Sequence, residues 1–167
     1  MKTFLLFCLF LIPALSQAQH KKQGGYFSFA GSVNIPTTAG MDPIMGAELS
    51  GNAELGKGGY LGLQAGVLKF QGMMGVYVPI QLKFSLMPAK NPKKVSPLIV
   101  LAPGLGVYNQ TDTQGGFTFY GGIGAVFAGK GKSGGYLTAG YSSYGFTSGD
   151  INSTVETIGI RAGIMIQ

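Results

Sequence analysis

The chain has 167 residues, of which only 11% are charged and 46% hydrophobic, with 29 Gly, no Trp and a net charge of +6. An ordinary soluble domain carries roughly 25% charged residues and about 7% Gly, so this composition argues against that class. No apolar run beyond the N-terminus is long enough for a membrane helix, which excludes a helical membrane protein.

The first element is a targeting segment. Lys2 supplies a positive start, Thr3 to Leu15 form a short apolar core, and Ser16-Gln17-Ala18 offers the small residues that a signal peptidase reads. Residues 1–18 are therefore expected to be a signal peptide, 19–25 a short tail, and 26–167 one domain. An anchoring helix needs about 20 apolar residues, more than this core supplies. Cys8, the only cysteine, lies inside that core after Phe7 rather than in a lipidation motif, so disulfide and thiolate chemistry are absent from the mature chain.

The rest alternates with period two. Strands are expected near Tyr26–Ile35, across Glu48–Leu55, near Tyr60–Phe70, Val76–Leu86, Pro97–Asn109, Gly116–Ala128 and Gly135–Tyr144, and over Thr157–Gln167. The clearest puts Val76, Val78, Ile80, Leu82, Phe84 and Leu86 on one face and Tyr77, Pro79, Gln81, Lys83 and Ser85 on the other. In the second, Glu48, Ser50, Asn52 and Glu54 oppose Leu49, Gly51, Ala53 and Leu55. Most of these strands run to about ten residues, whereas soluble strands average about five or six and tilted membrane strands about nine to eleven. The scarcity of charge leaves nothing to solvate an aqueous exterior. In lipid every backbone donor and acceptor must be paired, so the sheet must close. The predicted fold is all-β: an eight-stranded antiparallel transmembrane up-and-down β-barrel with the apolar face outward.

Charge and aromatic placement agree with this count. Lys21 and Lys22, Lys57, Lys90, Lys93 and Lys94, and Lys130 and Lys132 sort to one end of such a barrel. Asp42, Asp112 and Asp150 sort to the other. Tyr26, Tyr60, Phe84, Phe127 and Tyr136 fall near the lysine end; Phe70, Tyr108, Phe117, Phe119, Tyr144 and Phe146 fall near the aspartate end, as girdles at both interfaces would require.

The chain resembles the small eight-stranded outer-membrane barrel proteins, the OmpX-like group, on its signal peptide, its eight strands and a Gly-aromatic texture. Gly62 to Gly66, Gly104-Leu105-Gly106 and Tyr120-Gly121-Gly122-Ile123-Gly124 carry that texture. The family's assembly signal ends in an aromatic residue, whereas this chain ends Gly163-Ile164-Met165-Ile166-Gln167. The resemblance implies a bacterial outer membrane, with the termini and the lysine-rich turns periplasmic. It implies contact with outer-membrane lipid and lipopolysaccharide and with the outer-membrane assembly machinery during insertion. A peptidoglycan-binding extension after Gln167 is not expected.

The chemistry is sparse. His20 is the only histidine and falls in the tail, so no Ser–His or Cys–His pairing can be built and no His or Cys metal site. Glu48 and Glu54 share a face but lie roughly 20 Å apart at about 3.3 Å per residue, too far for a paired acid and base. The expectation is a non-enzyme with no cofactor and no metal. The basic composition reads as solvated turns, not as a nucleic-acid surface. Glu54, Lys83 and Arg161 are expected to form a lumen charge cluster, with strand order placing Glu54 between the two cations. An eight-stranded barrel is just wide enough for side chains to fill, and where inward glycines leave room, Tyr77, Tyr108 and Tyr120 or water must occupy it. Two functions stay open: a structural or protein-interaction barrel, including a subunit of a larger outer-membrane assembly, and a narrow channel for ions or small solutes.

Overall fold

The structure is a computed structural model that describes residues 24–71, 75–87, 95–108, 113–129 and 133–166. Eight strands run in chain order: β1 (Gly25–Pro36), β2 (Ile44–Gly56), β3 (Gly59–Phe70), β4 (Tyr77–Leu86), β5 (Val95–Tyr108), β6 (Gln114–Ala128), β7 (Ser133–Ser148) and β8 (Ile151–Ile166). Each pairs antiparallel with its neighbours, and β1 with β8, in one closed barrel. Closure runs from Phe27 opposite Ile166 to Pro36 opposite Thr157, so the described chain begins and ends at the same rim.

Alternation decides which way each side chain points, and the polarity is inverted relative to a soluble protein. Ser28, Ser32, Asn34, Glu48, Gln64, Gln81, Lys83, Thr118 and Arg161 are buried. Phe27, Val33 and Ile35 on β1, and Ile158, Ile160, Ile164 and Ile166 on β8, are exposed. Only hydrocarbon makes such an exterior favourable. On β8 the apolar positions span Ile158 to Ile166. At about 3.3 Å per residue and a tilt of about 40°, eight steps cover about 20 Å along the membrane normal. Above this band the outward residues Glu156, Thr154 and Asn152 are exposed and polar. The β7–β8 hairpin therefore projects past the membrane.

That projection is longer than the sequence pattern suggests. Tyr144 and Thr157 mark where apolar alternation stops, but pairing continues up to Ser148 opposite Ile151. Once the outward face meets water it no longer needs apolar residues, so the periodic signal ends before the strands do. Gly149 and Asp150 make the two-residue turn, with Gly149 at φ 57°. At the opposite rim Gly56, Lys57 and Gly58 all take positive φ, and the two glycines accept at no steric cost what Lys57 accepts at some. Lys57 thus lies at the end opposite Asp42 and Asp150, as expected. The other rim lysines and Asp112, like the signal peptide, lie outside the described residues.

Two prolines interrupt the ladder around β4. Between β3 and β4 the rungs at Gly66–Pro79 and Val67–Val78 are missing. Between β4 and β5 those at Leu82–Pro103 and Lys83–Ala102 are missing. Proline has no N–H to donate, and its ring crowds the neighbouring strand.

Candidate functional site

The lumen collects almost every buried polar side chain and is layered. At the aspartate-rich end Phe70, Tyr77, Tyr108, Tyr144 and Phe146 pack edge-on, with centroids 5.1–5.9 Å apart, over Ile44, Leu68 and Val155. At the other end Tyr26 and Tyr60 meet edge to face at 5.1 Å beside Met87, Leu98, Val126 and Met165. Tyr77, Tyr108 and Tyr120 fill the lumen as the sequence predicts. Of the rings assigned to interface girdles, Tyr26, Tyr60, Phe70, Tyr136, Tyr144 and Phe146 stand at the expected ends but point inward, whereas Phe84, Phe117 and Phe127 point to lipid. Parity explains it: Tyr26 shares a face with Ser28 and Asn34, and Tyr144 with Ser142. The interior accepts the rings because glycines on adjacent strands leave room. The Tyr77 hydroxyl occupies the place of a Cβ at Gly106, and the Tyr120 hydroxyl that at Gly122.

Between these layers lies a charged and amide layer. Arg161 Nη1 donates to Glu48 Oε2 at 2.7 Å, both residues buried. Gln64 Nε2 donates to the same Glu48 oxygen and to Gln81 Oε1, each at 3.0 Å. Gln81 in turn reaches Thr118 Oγ1 at 3.4 Å. The guanidinium lies 3.4 Å from the Tyr120 ring centroid, and Tyr120 OH donates to Thr138 Oγ1 at 2.8 Å. Lys83 Nζ donates to Ser50 Oγ at 3.1 Å and Ser28 Oγ at 3.5 Å, with the rings of Tyr26 and Tyr136 at 5.9 and 5.6 Å.

All three residues of the expected charge cluster are buried inside the barrel: Glu54, Lys83 and Arg161. The carboxylate on Arg161, however, is that of Glu48, not Glu54. Strand order places β2 beside β1, but register sets height. Arg161 is level with Ser32, and Ser32 with Gly46. Glu48 is two residues from that row, whereas Glu54 is eight residues from it, about 26 Å along the strand. Glu54 instead sits opposite Tyr60 at the lower rim, where its N–H donates to the Gly24 carbonyl at 2.8 Å. Lys83 extends toward Ser50, on the Glu48 side. Parity alone cannot distinguish Glu48 from Glu54; the register that does is set by hairpin geometry.

Among the described residues no group of three or more His, Cys, Asp or Glu is placed to hold a metal ion. The arrangement satisfies charge within the barrel wall.

The closed eight-stranded sheet, the lipid-matched exterior and the filled polar interior define a small transmembrane β-barrel of the outer-membrane type. Solved structures share this fold. Neisserial surface protein A matches with a TM-score of 0.61 at 14% identity, over 85% of this chain and 96% of that one. The outer membrane enzyme PagL matches with a TM-score of 0.57 at 16% identity, over 81% and 97%. A transmembrane β-barrel designed de novo matches at 0.51 and 14%, over 87% and 97%. At these identities the likeness is one of fold. No protein-family model matches the chain, and no curated protein matches its sequence.

Proposed function

We propose that this chain is a non-conducting, non-enzymatic outer-membrane barrel with a structural or protein-interaction role, as a subunit of a larger outer-membrane assembly. The observation that carries the reading is the filled lumen. A channel needs its polar middle to reach water at both ends, and here rings close one end while tyrosines, methionines and aliphatic residues close the other. The same fold carries an enzyme in PagL, so the fold does not decide catalysis. The reading against it rests on the sequence, whose one histidine is His20 in the tail, and on the burial of the Ser50–Lys83 contact inside the lumen. By the same reading the termini and the Lys57 turn face the periplasm, and the β7–β8 hairpin faces the cell exterior, in contact with lipopolysaccharide.

The test has two arms. Purified barrel in planar bilayers should give no stable unitary current; reproducible open states would establish the channel instead. Cross-linking in intact envelopes, followed by native electrophoresis, should capture the chain in one discrete larger species. Recovery of monomer alone would leave the barrel free-standing.

A further inference from the structure

The outward face of the projecting wall differs in chemistry from the band below it. Tyr141 is level with Ile158, the uppermost apolar position of that band on β8, and Ser143 is level with Glu156. The Tyr141 hydroxyl shares side-chain hydrogen bonds with Glu156 and Ser143. Higher up, Thr147 is level with Asn152 and donates from Oγ1 to its Oδ1 at 2.8 Å, which leaves the Asn152 amide N–H groups as donors toward the outside. Thr154, between Asn152 and Glu156 on the same face, is exposed. β6 borders the face with Phe117, whose ring is 60% exposed. The face measures about 13 Å along β8 from Glu156 to Asn152 and about 10 Å across the three strands.

Height and chemistry select what covers it. The face begins where the hydrocarbon band ends, so its neighbour at the barrel wall is the headgroup layer of the leaflet whose chains cover Ile158 and Ile160. No lysine or arginine occurs on β6 or from Ser133 to Ile160, so a phosphate or carboxylate group meets no cation here. What the face offers is a carboxylate, an amide and hydroxyls, which together accept and donate, beside the rings of Tyr141 and Phe117. A neutral sugar complements that set: its hydroxyls also accept and donate, and its C–H groups pack against the negative face of an aromatic ring. The ladder already orders the β7–β8 sheet, so binding has no loop to fix. We propose that the outward face of the β6–β8 projection binds the saccharide of outer-leaflet lipopolysaccharide through its sugar hydroxyls rather than through its phosphates. The inference rests on the reading that this hairpin faces the cell exterior.

The probes are rough lipopolysaccharide, the same lipopolysaccharide stripped of phosphate, and lipid A alone, which lacks the outer sugars. Each is titrated against detergent-folded barrel with a chelator present, so that no divalent ion bridges to Glu156, and bound glycolipid is read by native mass spectrometry. The first two should bind alike at low and at high salt. Tyr141→Ala combined with Asn152→Ala should weaken both about tenfold, and lipid A should bind wild type about tenfold more weakly than they do. The mobility shift on boiling reports that the variant is folded. Should it misfold, Asn152→Asp, which keeps size and removes the amide donors, carries the test. Loss of binding with the phosphates, or equal binding of lipid A, overturns the proposal. So does a double variant that binds both glycolipids as wild type does but loses the discrete cross-linked species, which would make the face a protein interface. Orientation is read separately. Cys8 is the one native cysteine, so Asp150→Cys on intact cells should react with a membrane-impermeant maleimide. Reaction only after the periplasm is opened overturns the exterior reading and this inference with it. Reaction without discrimination between the glycolipids overturns this inference alone.

Discussion

Glu48→Ala tests whether the lumen charge layer holds the barrel together. The substitution removes the acceptor that Arg161 meets at 2.7 Å and Gln64 at 3.0 Å. It leaves a guanidinium in a layer that also holds Lys83, with the Tyr120 face and the Tyr144 hydroxyl close by. Breaking a buried pair from one side costs about 3–5 kcal/mol. Removing both charges, as in Glu48→Ala with Arg161→Met, should cost at least 1 kcal/mol less than the sum of the single changes. Glu54→Ala supplies the contrast. It sits about 26 Å along the sheet from the Arg161 row, so its effect should add to that of Arg161→Met within about 0.5 kcal/mol. With no tryptophan in the chain, urea unfolding in lipid vesicles is best followed by circular dichroism and by the fraction of folded band in unboiled gel samples. Additivity for Glu48 with Arg161, or coupling for Glu54 with Arg161, would refute the register-based pairing.

Other outcomes follow from face and height. Ile160→Arg places a charge in the middle of the apolar band and should cost about 2–4 kcal/mol, whereas Thr154→Arg, outward on the same strand but above the band, should be tolerated; the folded fraction after dilution into vesicles reads both. Gly106→Ala sets a methyl where the Tyr77 hydroxyl lies and should destabilise by about 1–3 kcal/mol. Gly31→Ala faces outward with nothing nearer than 4.0 Å and should be neutral or gain up to about 1 kcal/mol, a contrast measurable by thermal melting in detergent. Wild-type barrel should change gel mobility on boiling, and an unchanged band would contradict a closed sheet.

The sequence made the architecture legible because one rule governs most of it. In a barrel with lipid outside and side chains inside, parity assigns every residue to a face, so strand count, closure and the lumenal position of Lys83, Arg161 and Gln81 could be read directly. Parity also fixes the inward orientation of Tyr26 and Tyr144, which share a face with Ser28 and Ser142, whereas an interface girdle fixes only their height. What parity cannot supply is height. Glu48 and Glu54 are equivalent by alternation, and only the stagger between β8, β1 and β2 brings one of them to Arg161. The extra length of β7 and β8 was hidden for a related reason: Ser143, Thr154 and Glu156 lie where the outward face leaves hydrocarbon, and a paired strand in water carries no apolar period to betray it.

The missing rungs beside Pro79 and Pro103 have a mechanical consequence. A barrel drawn out of its membrane by one terminus parts along its seams, and the force at each step reflects the number of rungs ruptured together. β4 is fastened on both flanks by ladders that each lack two successive rungs. Between β6 and β8, by contrast, pairing runs almost the full length of strands of fifteen and sixteen residues. The cylinder is thus not uniformly strong around its circumference. Under such a load the steps that part β4 from its neighbours should need less force than the step that parts β7 from β8.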